Sequence, residues 1–284
     1  MSNLTSSLRW AYFGTPTVAS ETLATLLARG FVPAVVVTNP DAAAGRGMQL
    51  APSPTKVVAL AHRIPVLTPG ELDATTIEKI KSYGCDYAVV IAYGKLFPQA
   101  LIDAFSKGAL NTHYSLLPKY RGASPVEGAL LNGDTTTGVT IQQLVLKMDA
   151  GDILAQQEVA IEPAETTATL RPRLVALGAE LLAATLPAFE AGTLTPIKQD
   201  ASLATYSGKF EKKDGELDLP AGRQASPEQE RMNWNKYRAY AVWPGTYFFE
   251  NGKRMKITKA SFANGKFVVE RIIPEGKPEQ EYHD

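Results

Sequence analysis

The sequence predicts an α/β fold: an open, mostly parallel sheet over roughly the first two thirds, then a small β-rich domain. Three observations lead there. Through the first half, short apolar and β-branched runs alternate with amphipathic helical patterns, and that alternation implies crossover connections between parallel strands. Near Gly138 the alternation gives way to two strand-like segments separated by turn residues, which is the pattern of a hairpin. Beyond residue 226 one helical segment precedes three short strand patterns around Asn-Gly turns at Asn251 and Asn264, the strongest short-range hairpin signal.

Taken in order, Leu8–Gly14 reads as a buried strand. Pro16 fits the first turn of a helix whose Val18, Leu23, Leu26 and Leu27 share one face, and Gly30 suits its end. Ala34–Thr38 is a second strand, Thr55–His62 and Thr75–Tyr83 are helices, and Tyr87–Ala92 is the most apolar strand of the half. Leu101–Phe105 reads as helical and Ala109–His113 as a strand. Gly138–Leu146 and Ile153–Ile161 form the hairpin, turning at Asp149, Gly151 and Asp152, and a long helix runs from about Thr166 to Ala191. Ser226–Tyr240 is a helix with Pro227 in its first turn. Gly245–Phe249, Arg254–Phe262 and Lys266–Ile273 are strands, and the charged Pro274–Asp284 tail, with little to bury, is expected to be mobile. The expected division is therefore a first domain over 1–191, a linker over 192–209 and a small β-rich domain over 210–284.

Composition narrows the classes. A chain of 284 residues with 45% hydrophobic and 20% charged residues can bury a proper core. A single cysteine, Cys85, excludes an intramolecular disulfide and a zinc site built on cysteine pairs. It reads as a small core residue at a strand edge and suits a reducing cytoplasm. No basic stretch leads into a long apolar run at the N-terminus, and no run reaches about 18 consecutive apolar residues, so neither a secretory leader nor a membrane span is expected. Lys+Arg and Asp+Glu are equal at 29 each, so any nucleic-acid contact must come from local patches.

Ligands in open parallel sheets sit beyond the carboxyl ends of the strands, which directs attention to the loops after Val37, Ala92 and Asn111. The densest of these is Asn111-Thr-His-Tyr-Ser-Leu-Leu-Pro-Lys-Tyr-Arg-Gly-Ala-Ser-Pro125. Asn111 and His113 are two apart at a strand end, so their side chains share a face. An amide and an imidazole can both donate to one oxygen, which is what acyl transfer needs to hold a tetrahedral oxyanion. Asp149, in the turn of the hairpin, reaches His113 if that hairpin packs against the sheet, and could accept a proton from an attacking amine. A histidine after a strand is also often structural, and an aspartate near a glycine is common turn chemistry, so residue types alone leave both readings open. His62 and His283 are weaker candidates, one in a helix and one in the tail.

Two further regions stand out. Asn39–Pro54 is a long polar loop rich in Gly and Pro, a length that is often functional. Arg46, between two glycines, sits at its tip, either to meet phosphate and bases or as a solvated side chain. From Arg231 to Lys266 the basic residues Arg231, Lys236, Arg238, Lys253, Arg254, Lys256, Lys259 and Lys266 face Glu250 as the one acidic residue, with aromatics interleaved. Such a composition suits a phosphate backbone, and a small β-barrel would carry it; the alternative is a solvated face over an aromatic core. The first strand ends in Gly14-Thr-Pro16 rather than G-x-G-x-x-G, and no Walker motif occurs, so neither a dinucleotide nor ATP is expected.

Together these segments resemble the methionyl-tRNA formyltransferase family. The resemblance rests on Phe13-Gly-Thr-Pro16, Pro40-Asp, Gly45-Arg-Gly47, Pro52-Ser-Pro54 with Lys56, Ala92-Tyr-Gly94, Asn111-x-His113-x-Ser-Leu-Leu-Pro118, Arg121-Gly122, Asp149 and Trp243-Pro-Gly245. It implies a Rossmann-like formyltransferase sheet with an OB-like C-terminal barrel, here ending early, which leaves open whether a full barrel closes. It implies 10-formyltetrahydrofolate as co-substrate, no metal and no dinucleotide, and initiator methionyl-tRNA as the partner of a cytoplasmic monomer that is not membrane-bound. Asn111 and His113 would stabilise the oxyanion, and Asp149 would position and charge His113. Ala92, Tyr93 and Gly94 with Ser115, Leu116, Leu117 and Pro118 would line the folate pocket, largely through backbone groups. Arg46 and Lys56, with Arg238, Lys253 and Arg254 of the second domain, would face tRNA. The Asn, His and Asp are shared with glycinamide ribonucleotide and amino-sugar formyltransferases, so an amino sugar or other small amine is the alternative acceptor. A non-catalytic RNA-binding module on a degenerate core is a third reading, against which the intact trio argues. Two departures bear on tRNA: Met48-Gln49 and Ala42–Ala44 stand where the family is commonly basic.

Overall fold

The computed structural model describes residues 8–44, 49–219 and 225–282. The chain forms two compact units, one from the described residues of Met1–Pro118, Val139–Gln157 and Leu174–Ala204, the other from those of Lys119–Gly138, Glu158–Arg173 and Thr205–Asp284. The sequence reading divides the chain once, whereas these units interleave along it.

The first part of the chain carries β1 (Trp10–Gly14), α1 (Thr17–Ala28), β2 (Val35–Val37), β3 (Ala42–Ala44), β4 (Gln49–Ala51), α2 (Pro54–Ala61), β5 (Val66–Leu67), α3 (Ala74–Lys81), β6 (Tyr87–Ile91), α4 (Gln99–Ile102) and β7 (Ala109–His113). Then come α5 (Pro125–Leu131), β8 (Thr136–Gln143), β9 (Ile153–Ala160) and α6 (Thr167–Glu190). The seven-stranded sheet runs β5-β2-β1-β6-β7-β8-β9. Pairs β5/β2, β2/β1, β1/β6 and β6/β7 are parallel, and β7/β8 is antiparallel. Strand order reverses between β1 and β6, which makes the carboxyl ends of β1, β6 and β7 the place for a ligand.

Strands β5, β2, β1 and β6 are apolar throughout because both faces of the sheet are covered there. Trp10 and Tyr12 of β1, Val89 and Ile91 of β6 and Leu110 of β7 join Leu23 and Leu26 of α1 and Leu182 and Leu186 of α6 in one core. Ala11, Phe13, Ala88, Val90 and Ala109 point the other way, onto Ile77 and Ile80 of α3 and Leu101 of α4. Gly14 is required where β1 turns toward α1: a Cβ there would collide with the Ala19 side chain. By length and composition α6 is apolar enough to cross a membrane. Its Leu174, Val175, Ala179, Leu182, Ala183 and Leu186 are all buried, a helical stripe facing protein. Cys85 is half-buried and free, its thiol pushed up to about 11 by burial.

One expected loop is structured. Within Asn39–Pro54, β3 and β4 pair antiparallel as Ala42↔Ala51, Ala43↔Leu50 and Ala44↔Gln49. Alanine-rich strands of three residues carry neither β-branching nor alternation, so nothing local announces the ladder.

The other unit contains α7 (Pro227–Ala239), β10 (Tyr247–Glu250), β11 (Lys253–Ala263), β12 (Lys266–Pro274) and β13 (Gln280–Glu281). The Ser226 hydroxyl caps α7 by accepting from Gln229 N at 3.2 Å, with Pro227 at the start and basic residues in the last turn. Both Asn-Gly hairpins have positive φ at their two central residues: Asn251 at 49° and Gly252 at 72°, Asn264 at 52° and Gly265 at 77°, which matches the twist of the flanking strands. Leu217, Trp234, Phe248, Met255, Ile257, Phe267, Val269 and Ile272 form the core. The buried Glu230 carboxylate accepts Phe267 N at 2.8 Å, fixing α7 to β12.

One point the sequence leaves open is answered here, and one expectation is corrected. The sheet is an open ladder, β10-β11-β12-β13, and no closed barrel forms among the described residues. Four strands ending in a two-residue edge are too few to close. The tail expected to be mobile supplies that edge: Gln280 pairs with Ile272, Glu281 with Arg271, and Tyr282 packs on Phe248 at a centroid distance of 5.4 Å. Tyr282 also donates to Glu250 Oε1 at 2.9 Å, so one aromatic near the end anchors what charge counting releases.

Candidate active site

Strand β7 sets the site. Alternation sends Leu110 and Thr112 toward α6, with the Gly178 backbone of that helix close against Thr112. It sends Asn111 and His113 to the opposite face, at the carboxyl end. In the antiparallel pairing Asn111 lies opposite Gln142 and His113 opposite Thr140, so these four side chains share one face.

His113 is buried, 5% exposed. Its Nδ1 lies 3.6 Å from Asp149 Oδ1, whose side chain is 13% exposed. The hairpin expected from sequence, with β8 and β9 adjacent in the sheet, therefore delivers the carboxylate to the imidazole. Asp149 has φ 50°, an uncommon conformation for a non-glycine residue, and the turn is fixed from outside. Gln142 Nε2 donates to Asp149 Oδ1 at 2.8 Å. Gln199 Nε2 donates to the backbone oxygens of Asp149 at 2.9 Å and Gly151 at 2.7 Å. Gly151 is required there, since a Cβ would fall on the Gln143 carbonyl oxygen.

The Ser115–Pro118 loop is held by Thr140. Its hydroxyl donates to Ser115 O at 2.7 Å and accepts from Leu117 N at 3.1 Å and Gln156 Nε2 at 2.8 Å. Gln156 Nε2 also reaches Leu117 O at 3.0 Å. Ser115 and Leu117 are buried, Leu116 and Pro118 half-buried, and the Leu117–Pro118 bond is cis. The second predicted segment, Ala92–Gly94, leaves the end of β6, the parallel neighbour of β7, with Ala92 and Gly94 exposed at positive φ of 46° and 81°. Tyr93 is turned inward against Phe13 and Phe97 at 5.5 and 6.0 Å, and burial pushes its phenol up to about 12. Its carbonyl accepts Asn39 Nδ2 at 3.3 Å. Both segments follow the carboxyl ends of the adjacent parallel strands β6 and β7.

Four buried or bonded polar residues escaped the sequence reading: Thr140, Gln142, Gln156 and Gln199. A signal existed for two of them, because Thr140 and Gln142 alternate with the apolar Val139 and Ile141 on a strand buried on both sides.

The expected tRNA contacts divide. Arg46 lies outside the described residues, as does His283. Lys56 forms an ion pair with both Asp41 carboxylate oxygens at 2.8 Å, tying the start of the β3–β4 segment to α2. Arg238 is corrected: it is 6% exposed, donates to Asn235 Oδ1 at 2.7 Å and stacks over Trp234 at 5.7 Å. Burial lowers its guanidinium from the ordinary value, and its place is structural, because the amphipathic α7 turns that position inward. Lys253 and Arg254 are exposed on β11, Arg254 lying 3.9 Å over the Tyr247 ring. Among the described residues no group of three or more His, Cys, Asp or Glu side chains is placed to hold a metal ion.

A family model described as formyl transferase matches residues 8–186, and a second, for the formyl transferase C-terminal domain, matches 227–276. The chain belongs to the formyl transferase family. Among curated formyl transferases, the methionyl-tRNA formyltransferase of Citrifermentans bemidjiense is 40% identical over 273 residues, 96% of this chain and 84% of that one. That of Chloroflexus aurantiacus is 42% identical over 260 residues, 90% of this chain and 81% of that one. Among solved structures, a Helicobacter canadensis N-formyltransferase in complex with folinic acid and dTDP-3-aminofucose aligns with TM-score 0.67 at 18% identity, covering 90% of this chain and 88% of its own. Glycinamide ribonucleotide transformylase 1 of Symbiobacterium toebii aligns with TM-score 0.58 at 21% identity, covering 69% and 96%. These two share the formyl transferase fold.

Proposed function

We propose that this chain transfers the formyl group of 10-formyltetrahydrofolate to the amino group of methionyl-tRNA. The observation that carries the proposal is the 40% identity, along 96% of the chain, to a relative named methionyl-tRNA formyltransferase. The site supports it chemically. The amine nitrogen attacks the formyl carbon, and the carbonyl oxygen becomes an oxyanion. Asn111 and His113, on one face of β7, donate to that oxygen. Asp149, 3.6 Å from the imidazole, orients His113 and takes the proton lost by the ammonium, directly or through water. The bond to the folate nitrogen then breaks, and that nitrogen leaves with a proton. Ala92–Gly94 and Ser115–Pro118 receive the folate through backbone groups. Lys253 and Arg254, exposed on β11, meet the tRNA phosphates together with Arg46. The same reading has the chain acting as a monomer in the cytoplasm.

The direct test is transfer of labelled formyl from the folate to charged initiator tRNA. Salt provides the check on the acceptor. Each phosphate contact is expected to steepen the fall of log affinity against log salt by roughly 0.7–0.9, so the KM for tRNA should climb markedly between low and physiological salt. A salt-insensitive KM, with turnover of a small amino sugar, would replace tRNA by the small acceptor.

A further inference from the structure

We propose that Gln142 is a positioning residue for formyl transfer: its amide holds the Asp149 carboxylate in the orientation that faces His113. The inference rests on the roles of His113 and Asp149 given above and adds a residue to them. Gln142 is 1% exposed, so its amide must be hydrogen-bonded within the protein. The sheet register puts it opposite Asn111 and on the same face as His113. Its Nε2 donates to Asp149 Oδ1 at 2.8 Å, and His113 Nδ1 approaches that same oxygen at 3.6 Å. One carboxylate oxygen therefore lies between a fixed amide and the catalytic imidazole.

The orientation of the amide follows from its other end. Gln142 Oε1 lies 3.5 Å from Gln199 Nε2. A flipped amide would set Oε1 against the Asp149 carboxylate and its own NH₂ against that of Gln199, so only one assignment is consistent. Gln199 in turn binds the backbone oxygens of Asp149 and Gly151. The two glutamines thus fix different things: Gln199 holds the turn, Gln142 the rotation of the side chain. An amide is neutral and does not compete for the proton that Asp149 is to accept, so it orients the carboxylate without sharing the transfer step.

The test is a double-mutant cycle on the full chain, with steady-state formyl transfer to charged tRNA as readout. Gln142→Met keeps an unbranched side chain of similar length and removes the donor. It is expected to lower kcat about tenfold while both KM values stay within about twofold, the pattern of a misaligned reacting group. In an Asp149→Asn background the same change is expected to alter the residual kcat by less than about twofold, since the group through which it acts has been replaced. Wild-type kcat in Gln142→Met, or an equal tenfold loss in both backgrounds, overturns the proposal. Gln142→Glu guards against a packing artefact by keeping the size of the side chain. Opposing two carboxylates is expected to cost about 10²-fold in kcat, and near-normal turnover in that variant overturns the proposal as well. Near-normal turnover in Asp149→Asn alone sinks the reading of the site itself, and is separately visible in the same cycle.

Discussion

Replacement of His113 by alanine is expected to lower kcat by about 10²–10⁴, the range supplied by a positioned imidazole acting in proton transfer. It loses more than Asn111→Ala, for which about 10²–10³ is expected from removal of a single oxyanion donor. The difference follows from geometry. On the proposed mechanism, Asn111 offers one amide to the developing charge, whereas His113 serves both that charge and the Asp149 carboxylate, 3.6 Å from its Nδ1. The fold should survive the change, because the strand that carries His113 is held by Leu110 in the core and by register with β6 and β8. Single-turnover formyl transfer, with a melting curve on the same sample, checks both halves. A variant that melts normally and turns over within tenfold of the parent would remove His113 from the mechanism.

Gly151→Ala is expected to be nearly as damaging, by a different route. Its added Cβ would lie far inside van der Waals contact with the Gln143 carbonyl oxygen. The opposing atom is backbone, so no rotamer relieves the clash. The chain also closes tightly here, with Gln143 N donating to Asp152 O at 2.9 Å and Gln199 Nε2 to Gly151 O at 2.7 Å. Either β8 or the turn must shift, and the shift passes to Gln142 and Asp149. A loss of roughly 3 kcal/mol is expected from overpacking, seen as a fall of about 6–12 °C in Tm. Displacement of the carboxylate by about 1 Å is worth a further 10²-fold in kcat. Gly70→Ala is the control: a Cβ there meets nothing within 4 Å, and its stability should stay within about 0.5 kcal/mol of the parent. Equal melting of the two variants would show that the turn tolerates a side chain.

Much of this is legible in the sequence. The bounds of β7 and the Asn-Gly hairpins follow from local rules, because a strand end and a type I′ turn each have a local chemical signature. The meeting of His113 with Asp149 could be anticipated only conditionally, since it depends on a hairpin packing beside β7. What stayed hidden has no local signature. β3 and β4 are stabilised by each other's backbone rather than by side-chain pattern. The seven-residue α5 is shorter than helical periodicity needs to declare itself. Gln142 and Gln199 are uncharged, so no search for titratable groups finds them. Arg238 counts as a surface cation in any tally of charge, yet it lies against Trp234 inside the unit. Charge counting releases the tail because Tyr282, which anchors it, is a single aromatic among charges.

On β7, odd-numbered positions supply Asn111 and His113, while Leu110 and Thr112 look toward the helix-covered core. Five consecutive residues therefore answer to two demands, and no insertion or deletion inside them can satisfy one without defeating the other. Sliding the strand by one position would turn the amide and imidazole toward α6 and bring a leucine to the face they now occupy. On the proposed mechanism, the chemistry is tied to the hydrogen-bond register of this strand.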